Sequence, residues 1–279
     1  MGDRHLSELC KGASLEPLLA RLRELVGLSA GHDDEEDPYM QGVWGYKDGD
    51  GRTAFHWAVA MRNYELATTL MLPPHDAPVW TEDNEGVTPF LSACLVGAPD
   101  GFVLDLMDRC VQVHESFRHS AAAHRPPRES ARDAGATAEA AAAATAEVPA
   151  LQALLDGRDN IGTTPLLAAV SRGHEGLVRL LLAKGADLTL PNNRGQSALH
   201  RAVSRGNTNL VELLVETSER RCGKARAAHR QWMDLQDYRG DSALFYASME
   251  NNEEIGRYLI RHEADRELRN KEGKQFWEV

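Results

Sequence analysis

The sequence predicts an all-α solenoid of about six helix-turn-helix units joined by short β-hairpin-like turns. The first observation behind this prediction is a repeated pattern, because segments that open at Gly162 and Gly195 lie 33 residues apart and share one order of residue types. That order is the second observation: a glycine turn, Thr or Ser, an apolar run, a glycine and a second apolar run. The third is that a single unit cannot bury the apolar face of its second helix, whereas stacked units can.

Capping chemistry sets the start of the first helix in each unit. Thr164 and Ser197 stand where a hydroxyl oxygen can accept a backbone N–H of the first turn. Pro165 suits the first helical position, because the N–H of that residue would have no partner inside the helix. Gly173 and Gly206 then separate the first helix of each unit from the second.

The repeated unit resembles a known family. A period of 33 residues with the signature T-P-L-H-x-A is that of the ankyrin repeat, and His56 and His200 occupy the histidine position of the signature. The resemblance implies one ankyrin-repeat solenoid. We expect the imidazoles of His56, His174 and His200 to hydrogen-bond the backbone rather than to transfer protons.

The turn glycines place the units along the chain. They stand at positions 51, 86, 162, 195, 240 and 273, so the spacings are 35, 76, 33, 45 and 33. The spacings of 76 and 45 predict insertions after second helices, although 76 residues could also conceal a further repeat. The large insertion is rich in alanine but has almost no large apolar residues, so we expect it to be disordered or a frayed helix. We expect a single ankyrin-repeat domain over residues 1–279: about 5–28, a degenerate N-terminal repeat; 48–117, two repeats; 118–150, a disordered insertion; 157–217, two repeats; 218–232, an insertion; 234–279, a repeat plus a partial C-terminal cap.

Charge is distributed unevenly along the chain, whose net charge is −11. Residues 1–110 hold 19 acidic and 8 basic side chains, which also gives −11, whereas residues 158–230 hold 12 basic and 6 acidic ones, which gives +6. The acidic run at residues 32–37 is predicted to be a solvated loop that could also contact a basic partner. This electrical polarity bears on the orientation of a bound partner.

Missing motifs argue against several classes of function. No apolar run approaches the roughly 18 residues of a membrane span, so we expect no membrane partner. The basic cluster at residues 218–230 has little aromatic interleaving in an acidic protein, so no nucleic acid is expected. The cysteines form no C-x-x-C pair and are predicted to be reduced, with Cys10 and Cys94 in the core. Without catalytic, phosphate-binding or metal-binding motifs, we expect no enzyme, no catalytic residue, no cofactor and no metal.

The class of function that remains is protein binding through one face of the stack. In such a stack the turn tips and first helices line a concave surface, where exposed residues vary without disturbing the core. Arg and aromatic side chains are favoured anchors of protein interfaces. The register predicts the following partner-binding residues: Asp50, Arg52, Trp57, Met61, Glu85, Arg172, Arg194, Arg201, Arg205, Arg239 and Tyr246.

Three segments of the sequence resemble one particular family of ankyrin-repeat proteins. Residues 51–58 contain His-Trp-Ala, residues 86–90 read Gly-Val-Thr-Pro-Phe, and residues 197–202 contain His-Arg-Ala. They resemble the family of gankyrin and its fungal counterpart, which are assembly chaperones of the proteasome regulatory particle. The resemblance implies a non-enzymatic chaperone, cytoplasmic and nuclear and monomeric on its own, which grips the C-terminal domain of one base ATPase subunit. It also implies that Arg52 and Arg172 pair with partner carboxylates, while N-terminal acids meet partner Lys and Arg.

The chain also departs from that family. Its large insertion and shortened last repeat are unlike the family's compact form, and Leu91 and Leu167 replace the signature histidine in two repeats. The alternative is a generic ankyrin adaptor, or an inhibitor of a kinase or transcription factor, because the fold alone does not specify a partner.

Overall fold

The structure is a computed structural model that describes residues 4–12, 15–27, 39–123, 149–223 and 225–279. Its regular elements are helices, and the β-type pairing within the described residues is limited to one isolated bridge between Gln236 and Ser242. In chain order the helices are α1 (Arg4–Lys11), α2 (Leu15–Val26), α3 (Tyr39–Trp44), α4 (Ala54–Ala60), α5 (Tyr64–Met71), α6 (Pro89–Val96), α7 (Asp100–Ala123), α8 (Ala150–Leu155), α9 (Pro165–Arg172), α10 (Glu175–Ala183), α11 (Ala198–Ser204), α12 (Thr208–Cys222), α13 (Arg226–Met233), α14 (Ala243–Met249), α15 (Glu253–Arg261) and a 3₁₀ helix (Phe276–Glu278).

The helices stack as pairs in two rows. The pairs are α1/α2, α4/α5, α6/α7, α9/α10, α11/α12 and α14/α15. First helices pack on one another in the order α1, α4, α6, α9, α11 and α14, and second helices in the order α5, α7, α10, α12 and α15. The predicted all-α solenoid of about six helix-turn-helix units is therefore confirmed.

Small side chains let the first helices approach one another. Ala58, Ala93, Ala168 and Ala202 are completely buried on α4, α6, α9 and α11. Larger side chains fill the space between the two rows; Phe90, for example, is fully buried. Because each repeat buries its apolar face only against its neighbours, stability depends on the whole stack.

The predicted capping by a hydroxyl is confirmed for Thr164. Thr164 Oγ1 accepts the N–H of Leu167 at 3.2 Å, and Pro165 stands in the first turn of α9. Ser197 caps α11 together with His200, whose ring accepts the backbone N–H of Ser197. Gly173 ends α9 with φ of 80°, in the left-handed region that glycine adopts without strain.

No helix pair of the described chain lies between the units that begin at Gly86 and Gly162. Helix α6 packs directly on α9, and the N–H of Asn160 donates to the carbonyl of Glu85 at 2.9 Å. The described residues in excess of one repeat therefore do not form a further helix pair. Part of them lengthens the second helix α7 to Ala123, and α8 packs against α7. Of the predicted disordered insertion at 118–150, residues 124–148 lie outside the described residues. Disorder is wrong for residues 118–123, which continue α7 into a run of alanine, the residue of highest helix propensity. It is also wrong for Ala150, which begins α8 and is buried.

The insertion at residues 218–232 is mostly helical and docked on the stack. Trp232 is buried and donates from Nε1 to the carbonyl of Leu188 at 3.0 Å. Arg221 donates to the carbonyl of Leu182 at 2.6 Å near the end of α10, and Arg230 pairs with Glu263 at 2.7 Å. Arg221 and Arg230, which belong to the basic cluster at residues 218–230, therefore form contacts within the protein.

The acidic run at residues 32–37 falls outside the described residues. In the part of the chain that the structure describes, no helix has both the length and the apolar character needed to cross a bilayer.

Candidate protein-binding groove

Every repeat after the first helix pair begins with a five-residue turn, here called a finger, which runs from an Asp or Asn to the residue after the turn glycine. In the finger at 192–196, Asn192 Oδ1 accepts the N–H of Arg194 at 2.9 Å and that of Gln196 at 3.0 Å. Gly195 takes φ of 78°, which other residues adopt only with strain. The same two acceptor bonds recur in the fingers at 48–52, 83–87, 159–163, 237–241 and 270–274.

Backbone hydrogen bonds join each finger to the next. The N–H of Asn193 donates to the carbonyl of Ile161 at 3.0 Å, and that of Tyr238 donates to the carbonyl of Arg194 at 3.0 Å. Equivalent bonds link the remaining neighbouring fingers, including the pair on either side of the large insertion. The fingers therefore form one continuous row in which the backbone is fixed and the tip side chains can vary.

A groove of about 610 Å³ opens between three fingers and the first helices behind them. It brings together four of the predicted partner-binding residues: Glu85, Arg172, Arg194 and Arg201. The other residues that line it are Val87, Leu95, Asp159, Ile161, Thr163, Leu167, Ala168, Ser171, Asn192, Asn193 and Gln196. The groove is thus apolar at its base and charged at its rim, as protein-binding surfaces commonly are.

Two arginines of the groove have uncommitted guanidinium groups. Arg172 and Arg194 are exposed, and no described residue forms a hydrogen bond or ion pair with the guanidinium group of either. Arg201 is half-buried and donates from Nε to Ser171 Oγ at 3.0 Å. Arg205 lies beside the groove and donates from Nη1 to the Ser171 carbonyl at 2.6 Å. Arg201 and Arg205 are therefore held in place from the neighbouring repeat, whereas Arg172 and Arg194 remain available to a partner.

Two of the four predicted residues of the second repeat, Arg52 and Trp57, are engaged within the protein. Arg52 Nε lies 3.0 Å from Asp83 Oδ2, and its guanidinium stacks 4.9 Å from the ring of Trp57. Trp57 Nε1 in turn donates to Asp48 Oδ2 at 2.6 Å. The Arg52 side chain is 29% exposed and that of Asp83 only 1%. Because removing Arg52 would leave a buried carboxylate unpaired, the structure gives Arg52 a role within the stack.

The remaining predicted residues differ in their surroundings. Asp50 and Glu85 are exposed at finger tips, and Met61 is half-buried at the C-cap of α4. Tyr246 donates to Asp237 Oδ2 at 2.9 Å and accepts from Gln196 at 2.7 Å, so its hydroxyl is already engaged. Arg239 is exposed, with its guanidinium 5.7 Å from the ring of Tyr238.

The two signature histidines hold adjacent repeats together, as predicted. His56 Nε2 lies 3.2 Å from the carbonyl of Val87 in the next finger, and its Nδ1 lies 2.9 Å from Thr53 Oγ1. Because a carbonyl only accepts, Nε2 carries the hydrogen and Nδ1 accepts from the cap. His200 makes the equivalent bond to the Asp241 carbonyl at 3.1 Å. Burial lowers the pKa of His56 to about 4 and also lowers the pKa of His200, so both rings are neutral at pH 7.

The third histidine singled out from the sequence also has a structural role. His174 stands at the N-cap of α10, and its Nε2 lies 3.3 Å from the carbonyl of Leu95 on the preceding repeat. Its ring therefore links neighbouring repeats, as the sequence predicted.

Ile161 is a groove residue that the sequence prediction omitted. It stands at the tip of the finger at 159–163 with 68% of its surface exposed. The sequence did mark Ile161 as unusual, because the residue before the turn glycine is charged in all five of the remaining fingers. An exposed branched side chain beside an apolar groove offers a partner surface that water solvates poorly.

Three of the four cysteine thiols are buried in the core. Burial raises the pKa of Cys10 and Cys110 to about 12 and also raises that of Cys94, so these thiols are unreactive. Cys10 and Cys94 are completely buried, which confirms their predicted core positions. Within the described ranges, no group of three His, Cys, Asp or Glu side chains could hold a metal ion.

Comparisons with known proteins agree with this architecture. A sequence model of the ankyrin-repeat family matches residues 138–224 and 190–271. Among solved structures, the crystal structure of the ankyrin repeat domain of Bcl-3, described as a unique member of the IkappaB protein family, superimposes with a TM-score of 0.59. The two chains are 20% identical, and the match covers 97% of this chain and 91% of that one. The chain therefore has the ankyrin-repeat fold, and residues 138–271 match the ankyrin-repeat family.

Proposed function

We propose that this protein is a non-enzymatic binding protein that holds a partner protein in the groove formed by the fingers at 83–87, 159–163 and 192–196. The observation that carries the proposal is the combination of two uncommitted arginines, Arg172 and Arg194, with the exposed side chain of Ile161 in one groove. Arg forms strong paired hydrogen bonds with carboxylates, and an apolar residue beside it supplies burial.

The groove is also organised before any partner arrives. Ser171 fixes both Arg201 and Arg205, and the finger backbones are tied to one another. A fixed surface loses little conformational entropy when it binds, which raises affinity for a given contact area. Protein binding therefore suits this groove better than catalysis, which would require converging reactive groups.

The finer proposal concerns the partner. By its resemblance to the gankyrin family, the protein would be a chaperone of proteasome regulatory-particle assembly that binds the C-terminal domain of a base ATPase subunit in the cytoplasm and nucleus. The division of charge supports this proposal, since the resemblance implies partner carboxylates near Arg172 and partner Lys or Arg near the N-terminal acids. The second candidate is an adaptor or inhibitor of a kinase or transcription factor. This candidate requires only the ankyrin-repeat fold, which does not by itself specify a partner.

Affinity capture from native lysate tests both proposals. The bait is the full chain, compared with the variant Arg172→Glu plus Arg194→Glu. The matched control, Arg179→Glu plus Arg261→Glu, makes the same charge change at exposed residues of the second helices α10 and α15. We expect base ATPases without core particle to be captured by the wild type and the control but not by the groove variant.

The other outcomes separate the proposals. If a different protein is captured and lost in the same way, the groove function stands and the chaperone proposal fails. If capture is equal for the groove variant and the wild type, the groove proposal itself is wrong. Thermal unfolding of all three proteins establishes that each variant is folded.

A further inference from the structure

The side chains at the finger tips form an ordered row of charges. The tip residue precedes the turn glycine in each finger, and from the N-terminal finger onward the tips are Asp50, Glu85, Ile161, Arg194, Arg239 and Glu272. All six residues are exposed. Building on the proposed function, we propose that this tip row selects a partner segment whose charges are grouped, with basic residues at one end, an apolar residue in the middle and acidic residues at the other end.

The backbone at the tips is fully used by the fold, so only the side chains can distinguish partners. The N–H of each of the first five tip residues donates to the Asp or Asn that starts its finger. Each of their carbonyls accepts the N–H of the next finger. The tip side chains consequently project from a fixed support at regular intervals, which suits recognition of an ordered pattern.

The charges of the tips are not cancelled by their neighbours. No described residue forms an ion pair with the side chains of Asp50, Glu85 or Arg194. Arg52 and Asp83, which belong to the same two fingers as Asp50 and Glu85, pair with each other at 3.0 Å. Glu272 differs from the others because it pairs with Lys274 at 3.0 Å. The two-sign pattern therefore extends from Asp50 to Arg239.

Ile161 stands where the sign of the row changes. It is 68% exposed and lies at the mouth of the groove, whose base includes Leu167. An apolar partner residue placed beside Ile161 would bury apolar surface on both sides of the contact. The centre of the matching segment is accordingly apolar.

The dimensions of the stack set the length of the segment. Packed helices lie about 8–10 Å apart, so the four steps from Asp50 to Arg239 span roughly 32–40 Å. An extended chain rises about 3.3 Å per residue, so roughly 10–12 residues cover the row. The partner is thus a protein segment of about that length, with Lys or Arg over Asp50 and Glu85 and with Asp or Glu over Arg194 and Arg239.

Two synthetic peptides of identical composition test this inference. One carries a block of lysines, central leucines and a block of glutamates, and the other alternates the lysines and glutamates around the same leucines. We expect the full chain to bind the block peptide at least about tenfold more tightly in fluorescence anisotropy, with the difference shrinking as salt rises. Equal affinities, or no binding of the block peptide, would overturn the proposal.

Variants assign the preference to the tips. Arg194→Glu plus Arg239→Glu should remove the preference for the block peptide, as should Ile161→Asp, whereas Arg179→Glu plus Arg261→Glu should preserve it. A preference that survives the tip substitutions in folded protein contradicts the assignment. If the peptides are not distinguished but a captured partner is still lost from the Arg172→Glu plus Arg194→Glu variant, the groove function stands and only the ordered row is wrong.

Discussion

The repeats that begin at Gly51 and Gly195 have the same scaffold but different surfaces. In both, a histidine joins the N-cap to the carbonyl of the next finger, with His56 reaching Val87 and His200 reaching Asp241. The position after that histidine holds Trp57 in the first repeat and Arg201 in the second. Trp57 turns back to its own finger, whereas Arg201 bonds to the preceding repeat and lines the groove.

This difference shows how one repeat can serve two purposes. At the second repeat the variable positions are engaged by Asp48 and Asp83, so their polar groups stabilise the stack. Around the groove, Arg172 and Arg194 remain available. Substitutions in the shared scaffold should therefore affect stability in both repeats alike, while substitutions at variable positions should separate stability from binding.

The largest expected effect is on the shared scaffold. His56→Ala and His200→Ala should each lower the free energy of unfolding by about 3 kcal/mol, because each leaves a cavity and an unsatisfied carbonyl. Urea unfolding followed by circular dichroism measures the change. Losses below about 1 kcal/mol in both variants would show that the histidines do not hold the repeats together.

Acid should weaken the same link. Because burial lowers the pKa of His56 to about 4 from 6.5, the unfolded chain binds a proton more readily than the folded one. The contribution of neutral His56 is therefore complete above pH 6.5 and is lost as pH falls towards 4, with a magnitude of about 2–3 kcal/mol. Unfolding free energies measured from pH 7 to pH 4 should decline less in His56→Gln than in the wild type, and parallel curves would contradict this prediction.

A smaller effect should distinguish the two sets of arginines. Arg52→Gln should destabilise the protein by about 1 kcal/mol, because the substitution leaves the buried carboxylate of Asp83 without its ion pair. The loss is modest because the Arg52 side chain is partly exposed. Arg194→Gln should change stability by less than about 0.5 kcal/mol, because no described residue depends on its side chain. Equal losses in parallel thermal melts would remove the distinction between a structural and an available arginine.

The sequence predicted what local chemistry determines. A glycine at positive φ and a hydroxyl at the N-cap are needed in every unit, so Gly162, Gly195 and Thr164 revealed the register and the helix starts. Several groove residues could also be predicted from the sequence, because the repeat register places Arg172 and Arg194 on one face of the stack.

Contacts between residues that are distant in the sequence could not be predicted in this way. The ion pair between Arg52 and Asp83 spans two repeats, and the contact of Trp232 with the carbonyl of Leu188 joins residues 44 positions apart. Neither leaves a periodic signal in the sequence. Ile161 was missed for a different reason, because its importance comes from its exposure beside a groove that only the stacked repeats create.

The central claim is that a partner protein binds the groove through Arg172 and Arg194. The most direct measurement is the affinity of the captured partner for the purified wild-type chain and for Arg172→Glu plus Arg194→Glu, by isothermal titration calorimetry. We predict that the groove variant binds at least tenfold more weakly, about 1.4 kcal/mol, and that Arg179→Glu plus Arg261→Glu binds like the wild type. Equal affinities for wild type and groove variant, with both folded, would contradict the claim.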